Sequence, residues 1–415
     1  REGLERDIKT WSGRIASAEE RVGRLIERRK SAASEALAAK ARPVAQREYQ
    51  ALRAFAADTL GIADLQPWDV AYASEKLRES RFAFSEEDLK PYFPLPAVMQ
   101  GLFTVAERVF GVRLVERKGV DTWHRDVHFF DVVDEDGSVR AGVYLDHYAR
   151  AGKRGGAWMD VCRARLNDGV SAHKPVAYLT CNFPPPGDDE PALLTHDDVV
   201  TLFHEFGHGL HHLLTEVDWP SVGGISGVEW DAVELPSQFM ENFAWQREAL
   251  DMFARHYRTG ERLPDALYAK MLEARHFHAG LFLVRQLEFA LYDFRMHLEY
   301  DPARGPRTLQ ILDEVRDEVA VIRPPSFNRF PHAFTHIFAG GYSAGYYSYL
   351  WAEVLSADAF SAFEQAGVFD AETGARYRRE ILAVGGSRPA LESFVAFRGR
   401  EPEPDALLRS YGLAA

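Results

Sequence analysis

The run Val199-Val200-Thr201-Leu202-Phe203-His204-Glu205-Phe206-Gly207-His208-Gly209-Leu210-His211-His212-Leu213-Leu214 constrains the fold more than any other segment of this chain. Its apolar residues recur every three or four positions, the period of a helix with one buried face. On such a helix His204 and His208, four apart, project side by side and can chelate one metal ion, with Glu205 beside them. Thr195 or Asp197 can cap its start, so the helix is predicted over 197–215. Gly207 and Gly209 each cost a helix about 1 kcal/mol relative to Ala, so both are expected where another backbone or a ligand comes close.

Two histidines leave a third protein ligand to be found. A metzincin pattern would place Gly at 211 and His at 214, but the chain has His211 and Leu214. Carboxylates follow in Gly227-Val228-Glu229-Trp230-Asp231-Ala232-Val233-Glu234-Leu235-Pro236-Ser237-Gln238-Phe239-Met240-Glu241-Asn242. After the loop 216–227 this segment is predicted to begin a second helix that returns antiparallel to the first, with Asp231 at its cap. Glu234, Gln238 and Glu241 then share one face, which suits one ligand and two groups that orient ligands. Spacing favours Glu234 over Glu229, because Glu234 lies inside the apolar-periodic run and Glu229 at its edge.

Composition narrows the setting. With 415 residues, 46% hydrophobic and 12% aromatic, the chain can bury a large core and fill two or three domains. A net charge of −13 repels nucleic acid and anionic membranes, so neither is expected as a partner. Cys162 and Cys181 are too few for a disulfide framework and fit a reducing compartment. No apolar stretch approaches the roughly 20 residues of a membrane helix, and Arg1-Glu2-Gly3-Leu4-Glu5-Arg6 is unlike a signal peptide, so a cytoplasmic location is expected. A start without Met is expected of a fragment or a processed product.

Along the chain, Leu4, Ile8, Trp11, Ile15, Ala18, Val22 and Leu25 alternate at spacings of four and three, which predicts a long N-terminal helix packed in a helical segment. Further helices are predicted over 46–60 and 68–81. The texture then changes to strands over 127–133, 139–148 and 175–183, so a small sheet precedes the histidine helix. Pro175 and Pro184 bracket the last strand, which suits an edge position. From 196 onward nearly everything reads as helix. Tyr342, Tyr346 and Tyr349 follow Gly340-Gly341 at spacings of four and three and are expected on one helical face. Three hydroxyls on one stripe each need a partner if buried. Facing a reacting carbonyl, one such donor lowers a barrier by about 3 to 4 kcal/mol.

Three motifs in fixed order carry a family resemblance: His204 to His208, Glu-Leu-Pro-Ser-Gln-Phe-Met-Glu at 234–241, and Phe-Ala-Gly-Gly-Tyr-Ser-Ala-Gly-Tyr-Tyr-Ser-Tyr-Leu-Trp at 338–351. Together they resemble the thimet oligopeptidase family of zinc peptidases. The segments Gly224 to Gln238, Lys174 to Phe183 and Arg154 to Asp160 look closest to its bacterial oligopeptidase branch. The similarity runs from about Leu65 to the C-terminus. It corresponds to about the C-terminal three fifths of members that are considerably longer.

The resemblance implies one zinc ion per chain on His204, His208 and Glu234, with Glu205 as general base. It also implies transition-state and substrate binding by Tyr346 and Tyr349, with Tyr342 near the substrate and His336 assisting. Gln238 and Glu241 would hold the ligands in orientation. Tyr178, Leu179 and Thr180 would line an extended peptide along a sheet edge. Asp160 and Arg329 are expected in ordinary ion pairs. The implied fold is mainly α with a small β-sheet: a zincin-like (gluzincin) catalytic region within a largely helical two-domain peptidase. Its expected segments are 1–64 (N-terminal helices), 65–245 (catalytic, with the sheet) and 246–415 (helical, carrying the tyrosines). The implied activity is zinc-dependent endopeptidase cleavage of short unstructured peptides by a monomer or weak oligomer. The alternative is a zinc-binding fragment or scaffold impaired by its short N-terminal side.

Overall fold

The computed structural model describes residue 38, residues 41–83 and residues 85–412; the predicted helix around Leu4 to Leu25 lies outside them. The chain divides into two compact units, one of residues 1–77 and 277–350, the other of residues 78–276 and 351–415. Each unit is thus assembled from segments distant in sequence, unlike the three consecutive segments expected above. Contacts between distant segments leave no local signature for a boundary to follow.

The second unit is built on a mixed five-stranded sheet of order β1-β2-β3-β7-β4. Its strands are β1 (Val112–Glu116), β2 (His128–Asp134), β3 (Val139–Tyr148), β4 (Trp158–Arg163) and β7 (Val176–Phe183). Between β4 and β7 a two-stranded ribbon pairs β5 (Leu166–Asn167) with β6 (Ala172–His173). Side chains alternate along β7 as the pleat requires. Ala177, Leu179, Cys181 and Phe183 are buried in the core with Phe203, Phe206 and Leu210 of the histidine helix. Tyr178 points to the opposite face, where its ring meets Trp123 and Tyr144.

The proline argument for β7 as an edge strand fails. β7 pairs with β3 in parallel and with β4 antiparallel, so it is internal to the sheet. Pro175 and Pro184 fall just outside Val176–Phe183 and therefore interrupt neither ladder. Among the described residues β4 pairs only with β7, which makes β4 the open edge on that side.

The histidine helix spans His196–Leu213, starting one residue and ending two residues before the predicted 197–215. Thr195 caps it: its hydroxyl accepts the Asp198 N–H at 3.0 Å, while Asp198 accepts the Thr195 N–H at 2.9 Å. This reciprocal pair is the capping box. Further phenylalanines close the core, with Phe239 stacked on Tyr377 at 4.1 Å between centroids.

The first unit is helical in its described residues, with helices at 41–60, Ala279–Leu298 and Thr308–Val319. Glu48 accepts the N–H groups of Gly280 and Leu281 at 3.2 and 2.8 Å, satisfying two donors that the start of the Ala279–Leu298 helix would otherwise leave unpaired. Gly280 permits this approach, because a Cβ there would lie 2.8 Å from the Ala45 nitrogen.

Candidate metal centre

The helix His196–Leu213 packs against the short helix Leu235–Glu241, and Gly207 sets their separation. A Cβ on Gly207 would meet the Pro236 carbonyl oxygen at 2.3 Å. Gly209 serves no such purpose: a Cβ there meets only Leu179 and Leu213 methyls at 4.0 Å, which corrects the expectation of close approach at both glycines.

Glu234 sits at the cap position before its helix, where Asp231 had been expected. Its buried carboxylate reaches both histidines, with Oε2 at 3.3 Å from His204 Nε2 and 3.1 Å from His208 Nε2. Ser237 Oγ donates to the same oxygen at 2.9 Å. Ligand atoms of His204, His208 and Glu234 all lie within 4.8 Å of one another. Glu229 is used elsewhere, accepting the Ala390 N–H at 2.6 Å. His211 and His212 turn into the core, and His212 Nε2 donates to the Arg163 carbonyl at 3.0 Å.

The donor set fits a metal ion. Two imidazole nitrogens and one carboxylate oxygen make the three-ligand set of a catalytic zinc site, which leaves a coordination position open. Electrostatics agree, because this cluster is arranged around positive charge. Burial alone would depress His204, yet hydrogen bonds to Glu234 and Glu241 outweigh it and push the imidazolium up to about 10. The same pairing holds Glu234 well below the usual carboxylate range, against the effect of its burial.

Two further groups complete the arrangement. Glu241 Oε1 lies 2.6 Å from His204 Nδ1, fixing the ring so that Nε2 faces Glu234. Gln238 lies one turn after Glu234, its N–H bonding the Glu234 carbonyl at 3.0 Å. Glu205, beside His204, is only 6% exposed. Burial raises its carboxyl above the usual range despite His204 and His208 nearby, with the Met159 main chain of β4 beside it. A carboxylate raised in this way is a competent proton acceptor. Removing the partner of His204 with Glu241→Ala is expected to weaken metal binding at this cluster about 10- to 100-fold. Competition against a chromogenic chelator measures this, and wild-type affinity would dismiss an orienting role for Glu241.

In the other unit, the tyrosines are not on one helical face. Only Tyr349 lies in the helix Ser348–Ala366; Tyr342 and Tyr346 occupy the turn before it. Gly341 and Ala344 take left-handed backbone angles, with φ of +88° and +54°, which no helix continues through. The buried Asp293 closes the turn by accepting the N–H groups of Ala344 and Tyr346 at 2.9 and 2.8 Å. The rings nevertheless cluster: Tyr349 lies 5.1 Å from Tyr342 and 5.2 Å from Tyr346, and His336 lies 5.8 Å from Tyr346. Tyr346 OH donates to Gln286 Oε1 at 3.1 Å, and burial pushes its phenol up to about 12, keeping it a hydroxyl donor.

Tyr178, Leu179 and Thr180, expected along an open edge, have a neighbouring strand on both sides. The open edge beside Glu205 belongs to Trp158, Met159 and Asp160 of β4. Sequence reasoning passed over Trp158 and Met159, although their Gly-Gly-Ala-Trp-Met-Asp segment stands out, and it missed Asp293 entirely. Arg329 donates to the Ser326 carbonyl at 2.8 Å, within its own loop.

Comparison with known proteins adds to this geometry. Residues 28–413 match the model of Peptidase family M3. Oligopeptidase A of Escherichia coli (strain K12) is 56% identical over 379 residues, which cover 91% of this chain and 56% of that protein. The organellar oligopeptidase A, chloroplastic/mitochondrial, of Arabidopsis thaliana is 48% identical over 410 residues, 95% of this chain and 51% of that protein. Dipeptidyl carboxypeptidase of Escherichia coli (strain K12) is 37% identical over 382 residues, 90% of this chain and 55% of that protein. The chain spans about half the length of the curated relatives it matches. No helix among the described residues is long and apolar enough to cross a membrane.

Proposed function

The chain belongs to peptidase family M3, and from that premise we propose that it is a zinc-dependent endopeptidase that cleaves internal bonds of short, unstructured peptides. His204, His208 and Glu234 hold one zinc ion per chain in a zincin-like site of the gluzincin kind. The observation that carries this reading is the meeting of both histidine Nε2 atoms at one oxygen of Glu234, beside the buried Glu205. When bound, zinc supplies Lewis-acid polarisation of a carbonyl and acidifies water.

The chain's own groups supply the rest. Glu205 accepts the proton of the attacking water and later delivers it to the leaving amine. Glu241 keeps the His204 ring turned so that its Nε2 stays available, and Ser237 fixes the Glu234 oxygen. Main-chain groups on the open edge of β4 hold an extended peptide without reading its sequence, which transfers to Trp158, Met159 and Asp160 the role first given to the β7 residues. For Tyr346 and Tyr349 the resemblance implies hydroxyl donors to the developing oxyanion, with Tyr342 and His336 beside them. The clustering of the Tyr342, Tyr346, Tyr349 and His336 rings supports that role. The unpaired Cys162 and Cys181 support a reducing, cytoplasmic setting, and a monomer or weak oligomer is the simplest assembly.

A quenched fluorogenic peptide tests the reading. Cleavage is expected from the zinc-loaded chain, to disappear with a chelator, and to return on adding zinc. Stoichiometric zinc without any cleavage would favour a binding scaffold instead.

A further inference from the structure

The sheet carries a cavity of about 310 Å³ where β4 begins. It lies on the face that Tyr178 shares with Trp123, away from the histidine helix. Trp123, Trp158 and Tyr178 form its walls; Asp146, 3% exposed, lies at its base. The size is at the low end of the range of roughly 300–1,000 Å³ for small-ligand sites, so it suits one large side chain.

Charge in the cavity is already committed. Asp146 accepts from Arg150 at 2.6 and 2.7 Å, from Lys153 at 2.8 Å and from Trp123 Nε1 at 2.9 Å. Lys153 spends its remaining donor capacity on the carbonyls of Asp146, Tyr148 and Cys181. An acidic ligand therefore finds these donors engaged. A basic ligand meets Arg150, Lys153 and also Arg154, whose guanidinium lies 5.3 Å from the Trp158 ring centroid. Asp160 is the one carboxylate there without a cationic partner, and its Oδ1 accepts the adjacent Val161 N–H at 2.7 Å. Ring faces are the main surface left to a ligand.

A peptide strand added to the open edge of β4 would send alternate side chains to opposite faces of the sheet. Those paired with Trp158 or Asp160 would fall on the cavity side, and the one paired with Met159 on the Glu205 side. We propose that this cavity is a side-chain subsite that takes an aromatic residue of the bound peptide. The proposal rests on the peptidase reading above.

The test uses the zinc-loaded chain and quenched peptides differing only by Phe, Ala or Arg at one position, scanned through the residues flanking the cleaved bond. At one position wild type is expected to prefer Phe over Ala about 10-fold or more in kcat/KM, as burial of an aromatic ring implies. Trp158→Ala should collapse that ratio to near unity, and Trp158→Phe should keep most of it. Trp123→Ala, at a half-exposed ring, gives a second reading should Trp158→Ala fail to fold. Absence of any aromatic preference, a preference for Arg, or a ratio unchanged in Trp158→Ala and Trp123→Ala would each overturn the subsite while leaving the peptidase intact. Failure of wild type to cleave any peptide would overturn the peptidase reading, and the subsite with it.

Discussion

Glu205→Gln is expected to reduce peptide turnover by at least about 100-fold, the lower end of what general-base catalysis contributes, while zinc still binds at one equivalent. The amide nearly matches the carboxylate in shape. It cannot take a proton from water. Zinc retention follows because the three converging ligand atoms belong to His204, His208 and Glu234, none of which changes. Stability should hold or rise, since an ionised carboxylate at 6% exposure carries a desolvation penalty that an amide does not. Metal analysis, a thermal melt and kcat on one preparation separate the three readouts. Residual activity above a tenth of wild type, with zinc bound, would remove Glu205 from the role of base.

The sequence made the histidine helix legible because its evidence is local. The 3–4 period, the Thr195 cap and the Leu-rich end all lie within the segment that forms it. Glu234 could be preferred over Glu229 for a related reason, and the structure indeed spends Glu229 on the Ala390 N–H. Geometry that depends on distant partners was not legible. The 4–3 spacing of Tyr342, Tyr346 and Tyr349 is that of a helix, but the turn is closed by Asp293, about fifty residues earlier, whose carboxylate compensates for the left-handed Ala344. Prolines flanking β7 looked like edge markers, yet strand pairing is decided by which segments meet across the sheet. The actual edge, β4, begins Trp-Met-Asp and leaves all of its residues partly or fully exposed, so no clean hydrophobic alternation announced it.

Gly207→Ala and Gly209→Ala, two positions apart on one helix, are expected to move in opposite directions. Helix propensity favours both by about 1 kcal/mol. At Gly209 nothing opposes this gain, because the new methyl would touch only Leu179 and Leu213 at 4.0 Å. That variant should be more stable in urea melts, by up to about 1 kcal/mol, with zinc affinity unchanged. At Gly207 the methyl would lie 2.3 Å from the Pro236 oxygen, 2.6 Å from Ser237 Cα and 2.8 Å from the Pro236 carbonyl carbon. All three are backbone atoms, so no side chain can swing aside; the two helices must separate instead. Overpacking of this kind costs about 1–3 kcal/mol and at least cancels the propensity gain. Function should suffer more than stability. Glu234 is only two residues before Pro236, and its Oε2 must stay near both histidines, at 3.3 and 3.1 Å. A displacement of about 1 Å costs a catalytic site as much as 100-fold, so zinc affinity and kcat/KM are both expected to fall at least about 10-fold. Chelator competition and peptide cleavage measure the two effects. Wild-type zinc affinity in Gly207→Ala would mean that the carboxylate is positioned by something other than the contact between these helices.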